Sequence, residues 1–387
     1  MTTVRVTRKA AERVHSGHPW IFSSDVIDAG DSQPGDVVRV IDFKGRALGT
    51  AHYSSSSQIT LRLLSRRSDE IDRNFLRGRI EAALRYRERI VQHSDAYRLI
   101  HAEGDLLPGL IADRYGDYLV LQLLDQGMDR MTDELVAVLN DMLPIKAIVA
   151  RNDAAARAKE NLPLETRVVS GTIPDRITIR MNGLHWSADL LHGQKTGIFL
   201  DQRENYLAIR KHVRGGRALD CFTATGGFAL HLASLCESVE AVDSSGPTLE
   251  TARINAEQNS LTNVAFQQAD VLDYLPNLVA MRRTFQVVVV DPPAFTKSRS
   301  ALEGAIRGYK EVNLRALRLL QSGGILISCS CSHHMSEAQL LETIAAASLD
   351  AGKQLRVLER RTQAADHPIL LTVPETHYLK CLVFEVI

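Results

Sequence analysis

Two stretches near the C-terminus decide the fold: VVVVDPPAF at Val287–Phe295 and ILISCSCS at Ile325–Ser332. Each begins with an unbroken apolar run, which is typical of a strand buried on both faces of a parallel sheet. Each run ends in polar residues, Asp291 in the first and Cys329 and Cys331 in the second. A carboxylate can hold a flat polar heterocycle and a thiol can attack one, so the pair suggests covalent chemistry on a nucleobase.

The residues before these stretches alternate between strand and helix patterns. Predicted strands lie at 218–222, 239–243 and 264–270, and helices follow near 227–235, 247–259, 271–280 and 301–321. This rhythm predicts an α/β fold with a parallel, doubly wound sheet, whose ligands bind beyond the carboxyl ends of the strands. Four acidic residues lie at those strand ends: Asp220, Asp243, Asp270 and Asp291. Four acidic residues at one edge of a sheet indicate a binding site rather than four separate helix caps.

The first turn of this predicted sheet indicates which ligand binds. DCFTATGGF at 220–228 allows a close backbone approach at Gly226 and Gly227, but it lacks the three spaced glycines that cradle a pyrophosphate. Asp243 ends the second strand, where a carboxylate accepts hydrogen bonds from ribose hydroxyls. Asp270 could accept from an adenine amino group. An adenosine without phosphates fits best, which favours S-adenosylmethionine over NAD(P).

The N-terminal half has a different character. Residues 1–67 alternate short apolar runs with turns and predict a small β-rich module, with strands at 37–42, 47–53 and 59–64. A helix over about 70–93, a hairpin around DRYGDY at 113–118 and a strand at 145–151 predict an α+β unit reaching to about 180. Residues 62–98 hold ten arginines and no lysine, which is compatible either with phosphate contacts or with a solvated helix face.

Composition excludes several classes of protein. No apolar run is long enough to cross a membrane, and the basic N-terminus has no apolar core of a secretory signal. The five cysteines, all in the C-terminal half, form neither a disulfide framework nor a metal-ligand pattern, so we expect a cytoplasmic protein without a metal. The net charge of zero gives no overall indication of a nucleic-acid partner. Any contact with RNA would therefore depend on local basic patches.

With these motifs in view, the chain resembles the bacterial ribosomal RNA large subunit methyltransferase I family, which forms 5-methylcytosine in 23S rRNA. Together the matching segments are specific, although each alone would be weak. They are HPWIFS (18–23), YRLIHAEGDLLPGLIADRYGDYLVLQLL (97–124), HGQKTGIFLDQR (192–203), CFTATGGFA (221–229), VDSS (242–245), DPPAFTKS (291–298), RGYKEVN (307–313), SCS (330–332) and QAADHP (363–368).

The resemblance implies three domains: a PUA-type RNA-binding β-barrel over 1–70, a central α+β domain over 71–184 and a class I, Rossmann-like methyltransferase domain over 185–387. It implies 23S rRNA as partner and S-adenosyl-L-methionine as cofactor, and it is compatible with a homodimer. Cys331 takes the nucleophile position and Asp291 the base-binding position. The expected cofactor residues are Phe222, Thr225, Gly226, Asp243, Asp270, Lys195 and Gln202, and the expected substrate residues are Pro292, Pro293 and Phe295.

Some positions depart from the family pattern. Ala224 and Ile198 stand where aromatic residues are usual, Cys329 is an additional thiol, and His333-His334 replaces a small apolar pair. These departures affect the expected shape of the pocket and the choice of target nucleotide, not the class of reaction.

The residues alone leave the mechanism open in three respects. Cys329 and Cys331 point to the same side of an ideal strand, so spacing does not choose between them, and only the resemblance favours Cys331. Methylation of an exocyclic amine on RNA, or RNA binding without catalysis, are alternatives to 5-methylcytosine formation. The base that removes the carbon 5 proton is not identified, and Lys297 is the candidate for the positive charge that activates the thiol.

Overall fold

The computed structural model describes residues 1–295 and 301–387, so Lys297 lies outside the described residues. The chain forms two compact units, each built from more than one segment. The first unit comprises Met1–Arg180, Ala188–Ile198 and Ala365–Thr376. The second unit comprises Met181–Ser187, Phe199–Ala364 and His377–Ile387.

The strands in the described ranges are β1 Thr3–Val6, β2 Trp20–Phe22, β3 Val26–Asp28, β4 Val37–Ile41, β5 Ala47–Tyr53, β6 Ile59–Ser65, β7 Ala96–His101, β8 Leu110–Tyr115, β9 Tyr118–Leu123, β10 Ala147–Asn152, β11 Glu165–Gly171, β12 Ile177–Met181, β13 Leu184–Ala188, β14 Arg217–Cys221, β15 Ser238–Asp243, β16 Val264–Gln268, β17 Phe285–Val290, β18 Leu320–Ser330, β19 Leu355–Arg361 and β20 Lys380–Val386. The α-helices are α1 Arg8–His15, α2 Arg73–Ile90, α3 Gln126–Arg130, α4 Thr132–Met142, α5 Arg203–Ala208, α6 Gly227–Ala233, α7 Gly246–Gln258, α8 Val271–Ala280, α9 Leu302–Leu319 and α10 Glu337–Asp350.

The N-terminal part of the first unit is a six-stranded sheet in the order β2-β6-β5-β4-β1-β3. Only β1 and β4 pair in parallel, and the other neighbours are antiparallel. Alternating residues of β1, β4 and β6 bury an apolar core that includes Val4, Val38 and Leu61. The strands predicted at 37–42, 47–53 and 59–64 are confirmed as β4, β5 and β6.

The remainder of the first unit is a five-stranded sheet in the order β11-β10-β9-β8-β7, packed with α2 and α4. The predicted hairpin is confirmed as β8 and β9, and its turn uses Gly116 in the left-handed conformation. Helix α2 begins where the Asp72 side chain accepts a hydrogen bond from Phe75 N at 2.8 Å, which satisfies one free donor of the first turn.

Two later segments of the chain also pack in the first unit. Thr196 donates to Asp113 at 2.6 Å, and the Arg87 guanidinium donates to the Asp366 carbonyl at 2.6 Å. Both contacts are buried, so they fix the segments Ala188–Ile198 and Ala365–Thr376 against this sheet. The three-domain division at residues 70 and 184 remains a prediction.

The second unit contains a seven-stranded sheet in the order β16-β15-β14-β17-β18-β20-β19. β14 to β18 pair in parallel with one another, as expected from their continuous apolar runs. One edge of the sheet, which the sequence analysis did not predict, is antiparallel, because β20 runs antiparallel to β18 and to β19. The strand order reverses between β14 and β17, which is where a sheet of this kind opens a crevice for a ligand.

The start of α7 has the usual features of a helix N-terminus. The Ser245 side chain caps the helix by accepting from Thr248 N, and Pro247 lies in its first turn. None of the helices in the described ranges combines the length and the apolar character needed to cross a membrane. Within those ranges no three His, Cys, Asp or Glu side chains are grouped as they would be around a metal ion.

Candidate active site

Strand pairing brings the predicted site residues of the second unit to one edge. Cys221 of β14 lies in register with Val290 of β17, and Val290 with Ser328 of β18. Asp291 therefore follows the middle strand, and its backbone N–H points to the Cys221 carbonyl at 3.4 Å. Because neighbouring strands are about 4.8 Å apart, the turn after β14, Asp291 and the end of β18 form one continuous rim.

The turn after β14 has an unusual backbone. Phe222 and Ala224 adopt left-handed conformations, with φ of +63° and +50°, and Gly226 follows with φ of +96°. A non-glycine residue costs free energy in this region, and such strain concentrates at ligand-binding sites. Gly227 is needed for a different reason, because a Cβ there would lie 2.3 Å from the Tyr206 hydroxyl.

Two carboxylates hold this turn in place. Asp243 accepts hydrogen bonds from Ala224 N and Ser245 N, both at 2.9 Å, and so joins the turn to the end of β15. Asp220 is fully buried and accepts from the Thr223 hydroxyl at 2.6 Å and from Ala229 N at 2.9 Å. Burial raises the pKa of Asp220 to about 7, against the lowering effect of those two bonds.

Asp270 and Thr225 have less distinctive surroundings. Asp270 is exposed and caps α8 by accepting from Leu272 N at 2.8 Å, the ordinary role of an aspartate at that position. Thr225 is buried, and its carbonyl accepts from the Asn255 amide at 3.0 Å. Their proposed contacts with a cofactor remain predictions.

Gln202 belongs to the neighbourhood of Asp291. Its amide donates to Asp291 Oδ2 at 2.9 Å, and its oxygen accepts from the Asn205 amide at 2.7 Å. Both amide side chains are buried, so the direction in which Gln202 donates is fixed. Lys195 lies in the first unit, where it is exposed and has a left-handed φ of +52°.

The two thiols at the end of β18 have opposite environments. Cys329 is fully buried, and it lies opposite Cys381 of β20 and shares a hydrogen bond with its thiol. Burial first, and then the Cys381 contact, raise the pKa of the Cys329 thiol well above its ordinary value. Cys331 is partly exposed beyond the strand end. A buried thiol behaves as a small apolar residue, so accessibility separates two cysteines that their spacing could not.

A buried lysine lies beside the exposed thiol. Lys380 is 4% exposed, and its ammonium donates to the Ser332 carbonyl at 2.7 Å and to the Tyr378 carbonyl at 2.8 Å. Burial lowers the pKa of Lys380 to about 8, while the nearby Cys331 acts in the opposite direction. We did not predict this residue from the sequence. Its signal was a single lysine at the start of the apolar strand KCLVFEV.

Tyr309 of α9 supports the same strand end from the other side. Its hydroxyl accepts from Ser330 Oγ at 2.9 Å and lies 3.1 Å from Ser332 Oγ. Burial raises the pKa of Tyr309 against the lowering effect of its hydrogen bonds with Ser330 and Ser332, and the charges of Cys331 and Asp291 raise it further. Tyr309 was not identified from the sequence either, although it lies within RGYKEVN.

The predicted substrate residues follow Asp291. Pro292 is buried and Pro293 is exposed, so the two prolines turn the chain out of the sheet. The partly buried Phe295 packs edge-to-face on Tyr309, with ring centroids 4.8 Å apart. The loop therefore leaves the rim on the side of α9, and one exposed ring of Pro293 borders the rim.

Comparison with known proteins places this arrangement in a family. Residues 4–66 match the family model of a PUA-like domain, and residues 212–369 match a methyltransferase domain. A ribosomal RNA large subunit methyltransferase I from Shigella boydii is 40% identical over 371 residues, with 94% of each chain covered. The chain belongs to the ribosomal RNA large subunit methyltransferase I family. Its relative of that name from Tolumonas auensis is 40% identical with both chains fully covered.

Solved structures agree with the family fold. A protein from Streptococcus mutans, assigned as an S-adenosylmethionine-dependent methyltransferase, superposes with a TM-score of 0.85 over the whole of both chains at 22% identity. Another methyltransferase structure, SMU.776 with S-adenosylhomocysteine bound, gives 0.86 at 21% identity. Membership of this family confirms the predicted PUA-type module, the class I methyltransferase fold and S-adenosylmethionine as the cofactor.

The turn after β14 fits that cofactor. Its backbone is held in a strained conformation of the kind that is found at ligand-binding sites. Each Asp243 oxygen accepts one backbone N–H and retains a lone pair for a ribose hydroxyl. Asp220 Oδ1 is buried and has no hydrogen-bond partner among the described residues. A buried acceptor without a donor is costly, so a donor supplied by a ligand or a water would satisfy it.

Proposed function

We propose that this protein methylates carbon 5 of a cytosine in 23S rRNA through a covalent intermediate on Cys331. The observation that carries the proposal is the position of Cys331, which is partly exposed just beyond the end of β18, the strand that pairs with β17 before Asp291. Cys329, by contrast, is buried against Cys381. The relatives at 40% identity are named for ribosomal RNA of the large subunit, and the PUA-like match over 4–66 supports an RNA substrate.

Covalent attack solves a specific chemical problem. Carbon 5 of cytosine is a weak nucleophile, but addition of the Cys331 thiolate to carbon 6 moves the ring double-bond electrons and makes carbon 5 enamine-like. Carbon 5 then forms its bond to the methyl group as the sulfonium–methyl bond of the donor breaks. Loss of the carbon 5 proton restores the ring double bond and expels the thiolate.

Asp291 would hold the base for this reaction. Gln202 donates to one of its oxygens and thereby orients the carboxylate. The remaining lone pairs can accept from the exocyclic amine of cytosine, which fixes the ring edge and stabilises the charge that develops on addition. Pro292 and Pro293 stiffen the chain directly after Asp291, so the carboxylate is presented from a rigid point.

Lys380 would supply the positive charge that favours a thiolate at Cys331. Its ammonium is held by two carbonyl groups, one of them on Ser332, directly after the thiol. This assignment replaces Lys297, which the sequence suggested and which lies outside the described residues.

The cofactor would be held by the turn after β14. Asp243 would accept from the ribose hydroxyls, and the backbone around Phe222, Thr225 and Gly226 would approach the adenosine closely. Asp270 and Gln202 were also proposed from the sequence, although Gln202 contacts Asp291 and so acts as a positioning residue for the base. Lys195, proposed from the same motif, belongs to the first unit. S-adenosylmethionine supplies the methyl group.

The test compares Cys331→Ala with Cys329→Ala on rRNA from cells that lack the gene. We expect Cys331→Ala to bind the cofactor with unchanged affinity and to form no 5-methylcytidine by mass spectrometry. Cys329→Ala should remain active, with only the loss of stability that follows removal of a buried sulfur. RNA containing 5-fluorocytidine should trap the wild-type protein as a covalent complex on a denaturing gel, because fluorine cannot leave carbon 5 as a proton does.

Other results would redirect the proposal. A fully active Cys331→Ala protein would eliminate the covalent scheme, and an N-methylated nucleoside would identify exocyclic-amine transfer instead. If neither wild type nor variants modify rRNA, RNA binding without catalysis becomes the remaining alternative.

A further inference from the structure

The first unit contains a cavity of about 540 Å³ that the proposed reaction does not use. Its wall is formed by the segment 17–19, the end of β6 and the residues after it, Arg79 of α2, and the loop from Glu103 to Pro108. Leu370 and Thr372 close one side. All of these residues belong to the first unit, and none of them is among the proposed catalytic or cofactor residues. We refer to this cavity as the arginine pocket.

Three arginines give the pocket its name. Arg66 and Arg67 are exposed, and neither guanidinium has an ion-pair or hydrogen-bond partner within residues 1–295 and 301–387. Arg79 lies deeper, donates to the Leu64 carbonyl at 3.1 Å and lies over the Phe75 ring. Asp69 also lines the wall, but its carboxylate is engaged by the Ser65 hydroxyl. Two unpaired guanidinium groups at the mouth suit phosphate oxygens.

The opposite wall presents a carboxylate. Glu103 accepts from the Trp20 indole N–H at 2.8 Å, which fixes the carboxylate in place. A carboxylate has about four lone pairs, so Glu103 retains capacity to accept from a ligand. Leu106 and Pro108 extend this wall, and Leu106 is 45% exposed on a left-handed backbone. Apolar side chains that flank an oriented acceptor provide a surface for a flat ring with hydrogen-bond donors at its edge.

We propose that the arginine pocket binds one unstacked nucleotide of the RNA, with its phosphate on Arg66 and Arg67 and the donor edge of its base on Glu103. This rests on the proposed RNA substrate and adds a recognition site apart from the modified base. The volume lies within the usual range of about 300 to 1,000 Å³ for small-ligand sites. A simple anion would be opposed by Glu103 and Asp69, whereas a nucleotide separates its negative phosphate from the donors of its base.

The carboxylate predicts a base preference. Guanine presents a ring N–H and an amino group side by side, so it matches a carboxylate best. Uracil flanks its single N–H with two carbonyl oxygens, which repel a carboxylate. We therefore expect guanine to bind at least about fivefold more tightly than uracil, the lower end of the discrimination that base-edge contacts supply.

The test measures binding of the full-length protein, without cofactor, to fluorescein-labelled decaribonucleotides U5-X-U4 in which X is guanine or uracil. Anisotropy should show the guanine preference for wild type. Glu103→Gln should remove the preference. Arg66→Ala/Arg67→Ala should weaken binding of both oligomers at least about tenfold and reduce the dependence on salt by about 0.7 in log–log slope, the value for one phosphate of a single strand.

A matched control removes the same charge elsewhere in the first unit. Arg8→Ala/Arg85→Ala deletes two exposed arginines, 78% and 67% accessible, that lie outside the pocket. Affinities should stay within twofold of wild type. Equal losses in the two double variants, or an unchanged guanine preference in Glu103→Gln, would overturn the proposal. Competition by free 5′-GMP as strong as by the oligomer would also overturn it, because the site would then serve a mononucleotide.

The proposed methyl transfer can fail independently of this site. The binding assay uses neither cofactor nor cytosine, so its result does not depend on which atom is methylated. An absence of 5-methylcytidine together with a guanine preference lost in Glu103→Gln would leave the pocket assignment intact and refute only the reaction.

Discussion

The turn after β14 and the ends of β17 and β18 lie on the same rim but are built differently. In the turn, the carboxylates of Asp220 and Asp243 accept from backbone N–H groups and thereby fix the main chain. At the strand ends, the hydrogen bonds join side chains to one another. Gln202 donates to Asp291 and orients it. The Tyr309 hydroxyl contacts the hydroxyls of Ser330 and Ser332. Substitutions at the strand ends should therefore change the chemistry, whereas substitutions in the turn should change the stability of the turn.

The largest effect is expected at Asp291. Asp291→Asn keeps an oxygen for the Gln202 amide but removes the negative charge and replaces one acceptor with a donor. We expect kcat for methyl transfer to fall about 10²- to 10³-fold, as for loss of one oriented group that stabilises a transition state, with cofactor affinity unchanged. Single-turnover transfer at saturating cofactor, with the product measured by mass spectrometry, would report this loss.

Asp273→Asn is a matched control for this change. It removes the same charge from an exposed position in the first turn of α8 and should leave the rate within twofold. If Asp291→Asn instead weakens cofactor binding and leaves the rate at saturation intact, Asp291 belongs to the cofactor site, and the contrast between the two regions is lost.

The next largest effect is expected at Lys380, whose pKa of about 8 determines how the effect changes with pH. The ammonium is charged below that pH and loses its charge as the pH rises through it, so a role in favouring the thiolate should fade above about pH 8. We expect Lys380→Met to reduce kcat/KM at pH 7 at least about tenfold, the effect of removing a nearby opposite charge. Because the thiol ionises without help at higher pH, the advantage of wild type over the variant should narrow as the pH rises through and beyond 8, which a pH series on both proteins would measure.

Lys380→Arg separates charge from proton transfer. It retains a positive charge at every pH tested, so methyl transfer should persist both below and above pH 8. A wild-type rate that rises through pH 8 and is lost in Lys380→Arg would instead identify the neutral amine as the base that removes the carbon 5 proton.

The sequence predicted the framework of the second unit because continuous apolar runs and strand-end acids are local signals. Strands β14 to β18 and helices α7 and α8 lie close to their predicted positions. The antiparallel β20 was missed, since nothing within KCLVFEV indicates the direction in which it pairs. Lys380 was missed for the same reason, because its position beside Cys331 depends on that pairing.

The same distinction applies to individual site residues. Asp291 and Cys331 were predicted from the sequence, where only the family resemblance favoured Cys331 over Cys329. The burial that β20 imposes on Cys329 favours the same choice. Gln202 was assigned to the cofactor from its motif alone, yet its hydrogen bond to Asp291 joins residues 89 positions apart in the chain. Motifs thus locate the candidate site residues, while the contacts that orient them are non-local.

The smallest predicted effect tests the turn after β14. The pKa of Asp220 is raised from 3.8 to about 7, so its favourable contribution to folding is complete below about pH 4 and is lost as the pH rises through 7. Asp220→Asn cannot titrate, and its amide can still accept from Ala229 N. The difference in melting temperature between variant and wild type should therefore shift in favour of the variant by a few degrees from pH 5 to pH 8, as scanning calorimetry in non-denaturing buffer would show. A difference that does not change with pH would mean that Asp220 is ionised throughout this range, and the turn would then depend on a buried charge rather than on a neutral acid.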